Sequence, residues 1–174
     1  MEDLLTERLV LHPLTPEEAG QLAEGVPFPG AAWAPGYPLP DDRSAARRFL
    51  DTRTRATADR PHPGAFEIRL RSDGRAIGGV DFHGPADSTG SVTVGYGLIP
   101  SARGRGYASE ALRAVLAHAR ALGITRVKGD ADHNNTPSHH VMTAAGMHLT
   151  GEDHRVRYYE TAWHRPGPDT PAPG

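Results

Sequence analysis

GYGLIPSARGRGYASEALRAVLAHARALG, residues Gly95 to Gly123, reads as three pieces in succession. A short apolar run ending at Ile99 has the character of a strand. Arg103-Gly104-Arg105-Gly106 is a tight turn. From near Tyr107, Ala108, Ala111, Leu112, Val115, Leu116, Ala119 and Leu122 fall on one stripe of 3.6-residue period, and Gly123 supplies the C-terminal cap. A turn of this kind directly before a helix aims several backbone N–H groups at one point. The first N–H groups of a helix lack internal partners and the helix dipole favours an anion there, so the turn is a candidate phosphate cradle. Gly104 and Gly106 carry no Cβ and let a ligand approach the main chain. Arg103 and Arg105 add positive charge, and Ser109 adds a hydroxyl in the first helical turn. The turn lacks the Lys-Ser/Thr ending of a Walker loop, and a meander rather than the βαβ unit of a dinucleotide fold is expected around it.

Upstream, Ala65 to Arg71 alternates Phe66, Ile68 and Leu70 with Glu67, Arg69 and Arg71, the period of a half-buried strand. Asp73-Gly74 marks a hairpin turn, Arg75 to His83 reads as the next strand, and Val92 to Ile99 as the third. An antiparallel meander therefore precedes the helix. Earlier still, Leu9, Leu11 and Leu14 mark an extended segment over residues 8–13. Thr15 and Pro16 are an N-cap and a first-turn proline, opening a short helix that ends at Gly25. Residues 25–40 hold five prolines with Phe28, Trp33 and Tyr37, and read as a loop, either packed by its own aromatics or gating a substrate. Asp41 and Asp42 open a second helix to about Ala58, with Ala45, Phe49 and Thr52 inward and Arg47, Arg48, Arg53 and Arg55 outward.

Downstream, Thr125 to Ala131 is a strand. Thr136-Pro137 opens a short helix ended by Gly146, Met147 to Thr150 begins a strand, and Arg155 to His164 is the last. Asn134-Asn135-Thr136-Pro137-Ser138 is a second strand-to-helix junction. Two parallel strands ending in such junctions place both helix starts on one sheet edge, where a long phosphorylated ligand could lie. Residues 1–165 are expected to form one domain and 166–174 a disordered tail.

Composition narrows the function. The net charge is −2, so no basic excess points to a nucleic-acid partner, and the absence of cysteine excludes disulfides, thiolate metal sites and cysteine nucleophiles. No apolar stretch is long enough to span a membrane and no signal peptide is evident, so a cytoplasmic location is expected. His133, His139 and His140 cluster without a carboxylate framework at metal spacing, and no metal is expected. A homodimer is left open.

The chain resembles the GCN5-related N-acetyltransferase (GNAT) superfamily, most closely its ribosomal-protein and amino-acid N-acetyltransferase branch. Arg103, Gly106 and Ala108 meet the acetyl-CoA signature Arg/Gln-x-x-Gly-x-Gly/Ala after the strand VTVGYGLIP. Asn135, Ser138 and Gly146 meet the later pattern Asn-x-x-Ser…Gly-aromatic, with Met147 where Phe is usual. The resemblance implies an α/β (α+β) GNAT fold: a mixed, mostly antiparallel twisted sheet of six to seven strands with about four helices.

It further implies that Arg103, Gly104, Arg105, Gly106, Tyr107, Ala108 and Ser109 hold the pyrophosphate of acetyl-CoA. Leu98 and Ile99, at the end of a bulged strand, pair through their main chain with pantetheine, and a main-chain N–H near them receives the oxyanion. Asn135 contacts the pantetheine arm, unless it serves only as a cap, and Ser138 lies near the thioester. The implied reaction is direct attack of a primary amine, on a small molecule or a peptide N-terminus, on acetyl-CoA. The Tyr that usually serves as general acid is replaced by Met142, leaving Ser138, water or unassisted departure of the thiolate. No carboxylate occupies SVTVGY, so the candidate bases are Glu67, Asp81 and His83, with Asp81 and His83 on one strand face. Trp33 and Tyr37 of the loop, with the turn at 84–90, are expected to wall the acceptor site. Two other readings stand beside this one: a non-catalytic acyl-CoA-binding module, and transfer to aminoacyl-tRNA through a basic patch of Arg43, Arg47, Arg48, Arg53 and Arg55.

Overall fold

The N-terminal segment shows how local chemistry sets the elements. Thr15 Oγ1 accepts the Glu18 N–H at 3.1 Å while the Glu18 carboxylate accepts the Thr15 N–H at 3.0 Å, closing a capping box. That box starts α1 (Pro16–Glu24), and Gly25 ends it in the left-handed region at φ 73°. The structure is a computed structural model and describes residues 1–163. The expected tail at 166–174 and the expected ends of the domain and the last strand lie outside the described residues.

The second helix, α2 (Pro40–Thr52), passes through one 3-10 turn at Arg53–Arg55 and stops short of the expected Ala58. Every residue from Arg53 to Arg60 is exposed, so no apolar face holds a longer helix. The buried stripe is Asp42, Ala46, Phe49 and Thr52. Ala46 takes the place expected for Ala45, which is only half-buried.

The sheet has eight strands among the described residues: β1 (Leu4–Leu5), β2 (Leu9–Pro13), β3 (Ala65–Leu70), β4 (Ala76–Phe82), β5 (Ser91–Leu98), β6 (Arg126–Asp132), β7 (Met147–Glu152) and β8 (Val156–Thr161). Their spatial order is β1-β2-β3-β4-β5-β6-β8-β7, antiparallel throughout except between β5 and β6. The strand beyond the expected six to seven is β1, two residues too short to show alternation. Between β5 and β6 runs α3 (Tyr107–Ala121), whose Ala111, Leu112, Val115, Leu116 and Ala119 are buried; Leu122, expected on the same stripe, is largely exposed. The fourth helix, α4 (Thr136–Ala144), links β6 to β7.

The one parallel pair, which with α3 makes a βαβ unit where only a meander was expected around the turn, positions the site. Pairing between β5 and β6 covers only Ser91–Thr93 with Arg126–Lys128. Beyond it β5 runs on to Leu98 and β6 to Asp132 unpaired with each other, so the sheet splits into a wedge. Met142 packs at the narrow end of the wedge: a methyl group on Gly129 would stand 2.9 Å from its Sδ and 3.9 Å from the Val94 carbonyl. The residue standing where the family's usual tyrosine is expected is thus a core residue, 1% exposed. Among the described residues no helix is long and apolar enough to cross a membrane.

Candidate active site

Strand alternation decides which main-chain groups face the wedge. His83 N–H donates to Thr93 O at 2.8 Å and Ile99 N–H donates to Ile77 O at 2.9 Å. The β4–β5 register is unbroken from Val94 to Leu98. Odd-numbered residues of β5 therefore point their N–H and C=O groups at β4, and even-numbered Tyr96 and Leu98 point theirs into the wedge. Two expectations change. No bulge interrupts β5 against β4, because the wedge opens on the other edge, by divergence from β6. Ile99 is committed to Ile77 and 2% exposed, so the main-chain groups available to a ligand there belong to Tyr96 and Leu98.

The Arg-Gly turn follows at once. A 3-10 turn (Pro100–Ala102) reverses the chain, and Arg103 Nε donates to Leu98 O at 3.0 Å. Gly104 and Gly106 stand at φ 76° and 81°, a region that penalises any Cβ. The first hydrogen bond of α3 is Glu110 N–H to Gly106 O at 3.1 Å, which leaves the N–H groups of Tyr107, Ala108 and Ser109 without helical partners. The turn is braced from the N-terminus of the chain. Arg8 Nε donates to Glu110 at 2.8 Å, Arg8 Nη1 donates to the Arg105 carbonyl at 2.8 Å, and the guanidinium lies 4.5 Å from the Tyr107 ring centroid. Thr6 Oγ1 and the Arg8 N–H complete the shell around Glu110. Burial alone would raise the Glu110 carboxyl, but these donors hold it below the usual carboxylate range.

Turn and wedge open into one cleft of about 1040 Å³. Its floor is glycine: Gly79 of β4 pairs with Gly97 of β5, and Asp81 with Gly95. Asp81 and His83 rise from the same face. The Arg48 guanidinium of α2 donates to Asp81 at 3.2 Å, and His83 Nε2 lies 3.9 Å from the same carboxylate. Burial pushes the Asp81 carboxyl up, against the Arg48 charge, and pushes the His83 imidazole down, against the attraction of Asp81. Asp42 of α2 lines the cleft beside them and accepts the Leu39 N–H at 2.8 Å.

The opposite wall carries Asn135 and Ser138. Asn135 caps α4, its side-chain oxygen 3.4 Å from the Ser138 N–H, and remains exposed toward the cleft. Ser138 Oγ shares a 2.6 Å hydrogen bond with the Tyr96 hydroxyl, which also donates to Ser138 O at 3.1 Å. Burial pushes the Tyr96 phenol up to about 12, so it keeps its proton.

The cleft thus gathers Leu98, Arg103, Gly104, Gly106, Tyr107, Ala108, Ser109, Asn135, Ser138, Asp81, His83 and Tyr37. It leaves out others. Glu67 is 1% exposed and lies behind Tyr37, whose hydroxyl donates to it at 3.0 Å, with Arg69 at 2.7 Å. Trp33 bridges to Ala76 and packs edge-on against Tyr37 at 5.6 Å, so the loop is packed by its own aromatics, of which only Tyr37 reaches the cleft. Arg105 faces solvent, and the turn at 84–90 is tied up by Asp87 rather than lining the cleft. The arginines of α2 do not form one outward patch: Arg43 and Arg47 donate to the Ala23 carbonyl and Arg48 is bound to Asp81. His133 and His139 make contacts to the carbonyls of Asp153 and Asp132. Tyr96 and Asp42 line the cleft though neither is expected there from the sequence, and so does Arg48, expected only in a basic patch. Tyr96 had a signal, an even position in the strand before the turn; Arg48 and Asp42 depend on where α2 docks.

Residues 8–148 match the Acetyltransferase (GNAT) domain family. The chain belongs to the GNAT acetyltransferases. It is 27% identical over 167 residues to the uncharacterized N-acetyltransferase p20 of Bacillus licheniformis, covering 93% of this chain and 89% of that protein. A crystal structure of an acetyltransferase from Agrobacterium tumefaciens is 26% identical, covers 95% of each chain and superposes with a TM-score of 0.64. The ribosomal L7/L12 alpha-N-protein acetyltransferase, solved in complex with coenzyme A, has the same fold at a TM-score of 0.62 and 18% identity, over 91% of this chain and 97% of that one. The GNAT fold expected from the two motifs is therefore the fold observed, and the acetyltransferase reading takes precedence over a non-catalytic module.

Proposed function

We propose that this GNAT protein transfers the acetyl group of acetyl-CoA to a primary amine, on a small molecule or a peptide N-terminus, by direct attack. The observation that carries the reading is the wedge itself: the unpaired edge of β5 at Tyr96 and Leu98 runs straight into the turn at Gly104 and Gly106. An extended pantetheine arm fits the first and its pyrophosphate the second. The N–H groups at the start of α3 and the Arg103 side chain face the phosphates. The thioester then lies near Leu98, whose wedge-facing N–H receives the oxyanion of the tetrahedral intermediate. Holding amine and thioester together supplies much of the rate without a nucleophilic side chain.

The thiolate leaves toward Ser138. The Ser138–Tyr96 hydroxyl pair stands where the usual tyrosine is missing and passes a proton to sulfur. On the acceptor side Glu67 is sealed away and Asp81 is committed to Arg48, so of the three bases expected from the sequence only His83 keeps an uncommitted nitrogen. The three tied arginines of α2 argue against a tRNA-linked acceptor. The test is release of free CoA thiol from acetyl-CoA across a panel of primary amines and free peptide N-termini. Amine-dependent release with a matching acetylated product supports the reading, and tight CoA binding without such release removes it.

A further inference from the structure

Asp42 is a buried carboxylate whose one hydrogen-bond partner among the described residues is the Leu39 N–H at the start of α2. It is 8% exposed, yet it makes no ion pair among the described residues: Arg43 and Arg47 turn to the Ala23 carbonyl and Arg48 to Asp81. Its Oδ2 accepts the Leu39 N–H, and no hydrogen bond reaches Oδ1. That free oxygen stands over the cleft floor, since a methyl group on Gly79 would lie 2.9 Å from it. A buried carboxylate without a cation is costly and calls for one.

Its place on the floor is specific. Gly79 pairs with Gly97, the residue before Leu98, while His83 stands over Gly95, two residues further from Leu98. A Cβ at Gly97 would meet nothing within 4 Å, so the space in front of Asp42 is open. We propose that Asp42 seats the ammonium group of the acceptor and takes its proton, making Asp42 the general base of the transfer. This rests on the acetyltransferase reading above and names the acceptor's recognised group, a primary ammonium.

The step balances. The ammonium gives one proton to Asp42, and the freed nitrogen lone pair bonds to the acetyl carbon. The C–S bond breaks with its electron pair going to sulfur. The nitrogen's second proton reaches sulfur through the Ser138–Tyr96 pair, its third stays in the amide, and Asp42 returns its proton to water. Groups facing Asp42 are Asp41 on its own helix, Tyr37 from the loop, Glu67 from β3 and Asp81 from β4 with its Arg48. Burial, with these carboxylates, pushes Asp42 up to about 6 against the opposing Leu39 N–H. A base that works ionised then loses activity as pH falls through about 6.

The experiment uses the full chain with butylamine as acceptor and 1-butanol as neutral control. Asp42→Asn, which keeps an acceptor oxygen for Leu39, is expected to lower kcat/KM by roughly 100-fold or more and to abolish the acid limb near pH 6. Its CoA affinity stays as in the wild type, which also shows that it folds. Asp42→Glu retains part of the rate. A wild-type rate in Asp42→Asn overturns the proposal. So does an acid limb that persists in Asp42→Asn and vanishes in His83→Gln. Calorimetry of butylamine against the CoA complex separates this proposal from the acetyltransferase reading. Butylamine binding that is lost in Asp42→Asn supports the seat even without turnover; binding that is absent, matched by 1-butanol or equal in both proteins overturns it.

Discussion

Tyr96 and Ser138 share a 2.6 Å hydrogen bond across the wedge, from β5 to the first turn of α4. The hydroxyl that the sequence withholds at Met142 is thereby supplied from another element. If the pair protonates the departing thiolate, Tyr96→Phe and Ser138→Ala each lower kcat by roughly 10- to 100-fold with little change in CoA affinity. The double variant loses no more than the worse single one, because the two act as a unit. Additive losses would speak for separate roles.

The brace from Arg8 to Glu110 predicts that the phosphate turn is only as firm as the N-terminal segment. Glu110→Ala removes the acceptor shared by the Arg8 guanidinium, the Arg8 N–H and Thr6 Oγ1, and so loosens the hold of Arg8 on the Arg105 carbonyl. We expect a loss of about 1 to 2 kcal/mol in stability and about tenfold weaker CoA binding, read by denaturant titration and calorimetry. Unchanged CoA affinity would detach the brace from the site.

Gly106 caps α3 at φ 81° with Arg8 Nη2 3.2 Å from where a Cβ would stand. Gly106→Glu adds both backbone strain and an anion against the pyrophosphate, and CoA binding should vanish. Gly104, with open space around it, should tolerate Ala better in stability while still losing CoA affinity.

We expect Glu67 to serve stability rather than chemistry. With Arg69 and the Tyr37 hydroxyl on its oxygens, Glu67→Ala leaves both without a partner, one of them a half-buried guanidinium, and should cost about 1 to 3 kcal/mol of unfolding free energy. The fold, more than the pH profile of catalysis, is what this change moves.

Burial pushes the His62 imidazole down to about 4, with Thr52 and the Gly64 N–H against its nitrogens. A histidine depressed on folding stabilises fully above its unfolded value of about 6.5 and loses that contribution as pH falls toward 4. His62→Gln should flatten the fall in melting temperature across that window. The difference is on the order of 1 kcal/mol, reduced by solvent screening of a partly exposed ring.

What could be read from the chain follows local rules. Thr15, Pro16 and Gly25 bracket α1, and the α3 stripe and Gly104–Gly106 turn lie where their spacing says, because capping, periodicity and left-handed glycine conformations are local properties. The half of the cleft proposed to hold the donor is built from two such local junctions, and both are legible in the chain. The acceptor half was not, because it depends on how α2 docks over β4. Nothing in the sequence near Asp42 says that Arg43, Arg47 and Arg48 all turn elsewhere, or that Glu67 faces inward to Tyr37. Alternation did place Asp81 and His83 on one face, yet it could not supply the Arg48 that neutralises one of them. The bulge expected in β5 was inferred by resemblance; the register with β4 shows that strand divergence provides the opening instead.

The most direct measurement is a crystal structure with acetyl-CoA. The account predicts pantetheine extended along Tyr96 and Leu98 in the β5–β6 wedge, pyrophosphate on the Gly104–Gly106 turn, and the thioester carbonyl on the Leu98 N–H with Ser138 beside the sulfur. A nucleotide bound outside the wedge, or a thioester that points away from Leu98 and the Asp42 floor, would contradict it.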